Sequence, residues 1–200
     1  MKFTIIFLFI GWLSYAQTHK IADSIYKKAA AAASAENFLK AAQLFNLSAE
    51  AEKKSPNPRQ EALYYELANA SISYVQANLL NKAFEIRKQS LIQCIKTFGK
   101  DHKNYGLELD WLGSYYEKKQ QYDKALPLYL EALENTENSL GKDHSSYGIS
   151  LNNLAGLYKN MGQYKKALPL YLEALENFEK SLGKDHSSYG TSLNNLAGLY

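Results

Sequence analysis

Residues 141–158 read GKDHSSYGISLNNLAGLY, and residues 183–200 read GKDHSSYGTSLNNLAGLY. The two stretches differ only at Ile149 against Thr191. The same Gly-Lys-Asp-His opening occurs at Gly99 and runs on to Tyr105 and Gly106, so the motif recurs with a period of 42 residues. A fixed period of about 20–50 residues marks an array of stacked units, each too small to bury its apolar face alone. Function is then sought on a surface built by stacking, not in a pocket inside one core.

The unit over 144–185 shows what repeats. Leu151, Leu154 and Tyr158 follow helical spacing and share one face. Gly162 ends that helix as a glycine just past the last periodic residue does. Ala167, Leu168, Leu170, Tyr171, Ala174, Leu175 and Phe178 give a second helix with a broad apolar face, stopping at Leu182 and Gly183. Pro127 and Pro169 fall near the start of this second helix, where backbone N–H groups lack an intrahelical acceptor, so the helix is expected to continue through them. Gly113, Ala125, Ala132, Ala155, Ala167 and Ala174 leave room for two helices to approach closely, with Tyr and Leu filling the space beside them.

On these residues the chain resembles the tetratricopeptide repeat, a helix–turn–helix family. The pattern of Leu, small residue, Tyr, turn Gly, Tyr, Ala, aromatic and Ala falls on Leu154, Ala155, Tyr158, Gly162, Tyr164, Ala167, Tyr171 and Ala174. One unit earlier it falls on Leu112, Gly113, Tyr116, Gln120, Tyr122, Ala125, Tyr129 and Ala132, losing only the turn Gly. Further back the match weakens, through Ala70, Tyr74, Asn78 and Ala83 to Ala29, Phe38, Ala41 and Phe45. The long unit looks like the repeats of kinesin light chain and of many bacterial proteins, although Lys103, Ser145 and Ser187 stand where that group usually has Pro. The resemblance implies an all-α fold, a right-handed α-solenoid of antiparallel helix pairs. It also implies a protein–protein interaction scaffold that binds a peptide or partner helix in its concave groove.

The period divides the chain into a leader over 1–16, a degenerate helix pair over 17–58 and a related unit over 59–101. Full units over 102–143 and 144–185 follow, then the first helix of a further unit over 186–200. The array thus stops mid-unit, and the sequence reads as a fragment of a longer one. Exported arrays of this resemblance often precede a catalytic domain, such as a caspase-like CHAT protease or a sensor kinase. The alternative is therefore a recognition arm of a larger enzyme.

The first residues carry Lys2, an apolar run from Phe3 to Leu13, and Ser14-Tyr15-Ala16 before Gln17. The run is shorter than the roughly 20 residues a spanning helix needs, and small residues at Ser14 and Ala16 suit signal-peptide cleavage after Ala16. Export to the periplasm or the extracellular space is expected, with no membrane span in the mature chain. Nearly half the residues (46%) are apolar, which argues against disorder. The net charge is only +3, with acids and bases interspersed. That is unlike the basic stripe of a nucleic-acid binder, and that class is set aside.

Cys94 has no partner cysteine in the sequence and is expected as a buried space-filler. His102, His144 and His186 share one loop position behind Asp101, Asp143 and Asp185. A metal needs several converging ligands, so each Asp is read as a helix starter and each His as local packing. Neither a phosphate loop nor a hydrolase or metalloprotease motif occurs in the sequence, so these 200 residues imply no enzyme, metal or cofactor. Asn46 and Asn69 match the glycosylation pattern but lie on predicted helices.

The Asn pairs are the candidates for binding. Asn152-Asn153 and Asn194-Asn195 lie on first helices, and Trp111 and Asn69 occupy the position of Asn153 in the earlier units. A primary amide offers both a donor and an acceptor to a peptide group, whatever side chain that peptide carries. Asn69, Asn152, Asn153, Asn194 and Asn195, with Trp111 as an aromatic anchor, are the expected contacts to a protein or peptide partner.

Overall fold

The computed structural model describes the backbone of residues 2–199 and the side chains of residues 17–199. The leader expected over 1–16 is outside the described side chains, as are Ala16 and Tyr200; the expected cleavage point falls at their edge, before Gln17. The described residues form nine helices and no strand. None of these helices is long and apolar enough to cross a membrane. They fall into two compact units, one up to Thr97 and one from Phe98.

The first unit holds α1 (Lys2–Ser34), α2 (Phe38–Lys53), α3 (Gln60–Gln76) and α4 (Leu80–Phe98). The second holds α5 (Lys103–Lys118), α6 (Tyr122–Leu140), α7 (Ser145–Asn160), α8 (Tyr164–Leu182) and α9 (Ser187–Ala197). Helices joined by a short turn pack along each other, as α1 with α2, α5 with α6 and α7 with α8.

The turn inside each pair is one geometry used four times. Glu36, Asn78, Gln120 and Gly162 stand one period apart, and all have positive φ, between 57° and 72°. In each, the next residue donates its N–H back across the turn to close the helix: Asn37 to Ala32, Leu79 to Tyr74, Gln121 to Tyr116 and Gln163 to Tyr158, at 2.8–2.9 Å. This bond satisfies a helix-terminal carbonyl. Only the fourth unit carries glycine, the residue that enters the left-handed region without steric cost.

The loop between units follows the sequence except at its cap. Gly99, Gly141 and Gly183 end α4, α6 and α8 with φ of 82–85°. The next helix is capped by histidine, not by the aspartate before it. Nδ1 of His102, His144 and His186 accepts the N–H of Asn104, Ser146 and Ser188 at 3.1–3.2 Å. The imidazole reaches two residues ahead, as the oxygen of a shorter capping side chain would.

An asparagine missed by the sequence reading ties each loop to the second helix. Asn135 donates to the Lys100 carbonyl at 2.6 Å and accepts the Gly106 N–H at 2.9 Å. Asn177, one period on, donates to the Lys142 carbonyl at 2.6 Å. Gly106 lies at the start of α5, so this bond anchors the beginning of that helix to α6. A Cβ at Gly106 would stand 2.6 Å from the Asn135 oxygen.

The small residues sit at helix crossings. Ala155, Ala167 and Tyr171 pack as one buried cluster, and Gly113 lies under the ring of Tyr129. Pro127 and Pro169 lie inside α6 and α8 without interrupting either helix. Cys94 is fully buried. Ser48 and Ser71 of the two glycosylation patterns are buried on α2 and α3.

Candidate functional site

The first helices of the second unit, α5, α7 and α9, touch in succession, while α6 packs on α5 and α7. Polar side chains tie the first helices together. Asp110 on α5 accepts the Ser150 hydroxyl at 3.0 Å and the Asn153 amide at 3.2 Å, both from α7. Asn152 on α7 accepts the Ser192 hydroxyl from α9 at 3.2 Å. Asp110 and Asn152 are one period apart, as are Ser150 and Ser192, so the same tie recurs with a carboxylate and then an amide. Burial pushes the Asp110 carboxyl up to about 6, while its bonds from Asn153 and Ser150 pull it down. A second tie runs from Glu117, which accepts the Tyr129 hydroxyl at 2.7 Å and the Asn160 amide at 2.8 Å.

These ties spend half of each amide. The Asn152 oxygen is taken by Ser192, leaving its NH₂ donors; the Asn153 nitrogen is engaged with Asp110, leaving its oxygen as acceptor. The Asn153 orientation is fixed by its partner, since a carboxylate only accepts; the Ser192 hydroxyl can donate or accept, and with either end of the amide facing it Asn152 keeps an N–H to offer. Asn195 makes no side-chain hydrogen bond among the described residues. All three amides line one open cleft of about 230 Å³ between α7 and α9, together with Ile149, Phe178 and Thr191. Ile149 is 46% exposed there, and its counterpart Leu107 on α5 is 55% exposed.

The other expected contacts lie elsewhere. Asn194 is exposed on α9 but does not line the cleft. Trp111 is half-buried on α5, its ring stacked on Tyr115 at 6.4 Å. Asn69 belongs to the first unit, where it donates to the Tyr26 hydroxyl at 3.3 Å. The sequence reading missed Ile149, Phe178 and the Asp110 tie. The available signal was Ser150 and Ser192, small hydroxyls one period apart on first helices, and both are buried.

The first unit holds one arrangement with catalytic spacing. His19 stands 3.0 Å from Glu52 through Nδ1 and 3.4 Å from the Ser55 hydroxyl through Nε2. Ser55 is only 5% exposed, and Glu52 also accepts from the Arg59 backbone and guanidinium. A nucleophile needs an open approach and a base free to turn over a proton; this cluster is a structural clasp that fixes the chain between α2 and α3. No group of three or more His, Cys, Asp or Glu among the described residues could hold a metal.

The comparisons agree with this architecture. The tetratricopeptide repeat family model matches residues 106–180 and 147–200. BtubC (BKLC) from P. vanneervenii superposes with a TM-score of 0.77 at 16% identity, over 96% of this chain and 76% of that one. A putative kinesin light chain from Podosopora anserina, described as having nearly identical TPR-like repeats, gives 0.73 at 20% identity, over 92% and 86%. The apo form of RapI gives 0.71 at 18% identity, over 88% of this chain and 46% of that one. At these identities the likeness is one of fold. No curated protein matches the sequence.

Proposed function

We propose that this chain, a tetratricopeptide repeat protein with units like those of kinesin light chain, is a scaffold that holds an extended peptide of a partner protein against α7 and α9. The tetratricopeptide fold is consistent with a protein–protein interaction scaffold. One observation carries the finer reading. Asn152 keeps a donor and Asn153 an acceptor, side by side in one cleft. A peptide group has one N–H and one C=O to satisfy, and this pair offers the complement of both. Asn195 extends the same chemistry one period further along.

The test is an array of immobilised random decapeptides probed with the chain. Asn152→Ala with Asn153→Ala should abolish retention while circular dichroism shows the helices intact. Asn195→Ala should weaken it. Retention that survives both changes removes the groove from the account.

The leader belongs to the same proposal: the scaffold works outside the cytoplasm, after cleavage between Ala16 and Gln17. Amino-terminal sequencing of protein recovered from the periplasm or medium should begin at Gln17. An intact Met1 terminus confined to the cytoplasm would reject export.

A further inference from the structure

The cleft between α7 and α9 also limits what the bound segment can be. Its lining is three amides, an aliphatic and an aromatic side chain, and three hydroxyls from Ser187, Ser188 and Thr191. It contains no Lys, Arg, Asp, Glu or His. The ionisable groups around it are outside the lining: His186, next to Ser187, spends its Nδ1 on the Ser188 N–H at 3.2 Å. Asp110 touches the cleft only through Asn153, and both its oxygens are taken by Ser150 and Asn153. Lys159 stands at one end of the cleft, its ammonium reaching toward Gly198 on the turn after Asn195, and is not part of the lining.

Building on the groove reading, we infer that the segment bound here is uncharged and places an aliphatic side chain on the exposed Ile149, above the buried Phe178. Two physical arguments point the same way. A charged side chain entering the cleft would give up water without meeting an opposite charge, and desolvating an unpaired charge is costly. An acidic segment would in addition approach Asp110, itself an acid, behind Asn153. An aliphatic side chain has the opposite balance. Ile149 is half exposed to water in the free chain, and covering it is favourable in proportion to the apolar area removed from solvent. The amides then hold the backbone and leave the side-chain choice to this apolar floor.

The test extends the array to three sets of decapeptides: neutral with Leu, Ile or Val, enriched in Asp and Glu, and enriched in Lys and Arg. The neutral aliphatic set should be retained, and its affinity should change by less than about twofold between 50 and 500 mM NaCl, because no charge pair is there to be screened. Ile149→Glu alters an exposed side chain, leaves the ties between helices in place, and should weaken binding about tenfold or more.

Preferential retention of an acidic or basic set, lost with Asn152→Ala and Asn153→Ala, overturns the neutral segment and leaves the groove standing. Neutral peptides retained equally by the Ile149→Glu chain overturn the apolar floor. Retention indifferent to the Asn152 and Asn153 changes overturns the groove reading itself, and retention of none of the three sets overturns both.

Discussion

Replacing Glu66 by Gln should change how the stability of the first unit depends on pH. Glu66 lies on α3 and is 3% exposed. One of its oxygens is 2.7 Å from the Ser48 hydroxyl, and the other has no partner among the described residues. The same hydroxyl is 2.9 Å from the Ala22 carbonyl. A hydroxyl has one proton, and a carbonyl can only accept. When Ser48 donates to Ala22, the proton between Ser48 and Glu66 must come from a protonated Glu66.

The electrostatics agree with that geometry. Burial raises the carboxyl from 4.5 to about 7, the Ser48 bond opposes the rise, and the nearby Glu52 adds to it. An acid whose folded value lies above its unfolded one favours folding in its protonated form, so stability is greatest below the unfolded value. It is lost as pH climbs through the folded value. At about 1.4 kcal/mol per unit, the whole effect is roughly 3 kcal/mol. About 2.5 kcal/mol of it falls between pH 5 and pH 8.

Gln keeps the shape and the donor without the charge. Urea unfolding followed by circular dichroism at pH 5 and pH 8 should show the variant gaining about 2–3 kcal/mol on the parent over that interval. Hydrogen exchange should place the gain in α2 and α3. A difference between the two proteins that does not move with pH would refute a protonated, buried Glu66.

Three further outcomes follow from the packing. Gln120→Gly should raise stability by about 0.5–1 kcal/mol, since it relieves a left-handed residue at φ 57° and loses some of that gain to unfolded-chain entropy; a lower melting temperature would count against strain at that turn. Gly113→Ala should cost about 1–3 kcal/mol, because its Cβ would stand 2.8 Å from a Tyr129 ring whose hydroxyl is held by Glu117; an unchanged denaturation midpoint would show that the ring swings away. Asn135→Ala should cost about 1–3 kcal/mol and speed exchange of the Gly106 amide; protection of that amide at the parental level would show another acceptor taking over.

The helix pairs were legible because apolar spacing and a fixed period reinforce each other, as from Tyr147 to Phe178. Asn152, Asn153 and Asn195, which line the cleft, stood out in the sequence because they precede the Leu of the repeat pattern. Three things were not. The left-handed turn at Glu36, Asn78 and Gln120 is imposed by the packing of the helices it joins, and only Gly162 advertises it. The histidine cap was hidden because the aspartate beside it is the commoner capping residue. The tie from Asp110 to Ser150 joins side chains 40 residues apart, and helical periodicity carries no information on which polar groups meet across that distance. For the same reason the sequence showed Asn194 and Asn195 as equals, while only Asn195 reaches the cleft.

The near identity of α7 and α9 has a kinetic consequence. During refolding, α6 is offered two helices that differ, across their shared positions, chiefly at Ile149 and Thr191. If α9 docks first, Ser192 can take the place of Ser150 on Asp110, and α7 with α8 is left looped out. This slipped species satisfies most of the native contacts, so it has to undo them before the correct helix can enter. A slow refolding phase, abolished when Asp110 and Ser150 are recoded as a pair distinct from Asn152 and Ser192, is the expected cost of building from near-duplicate parts.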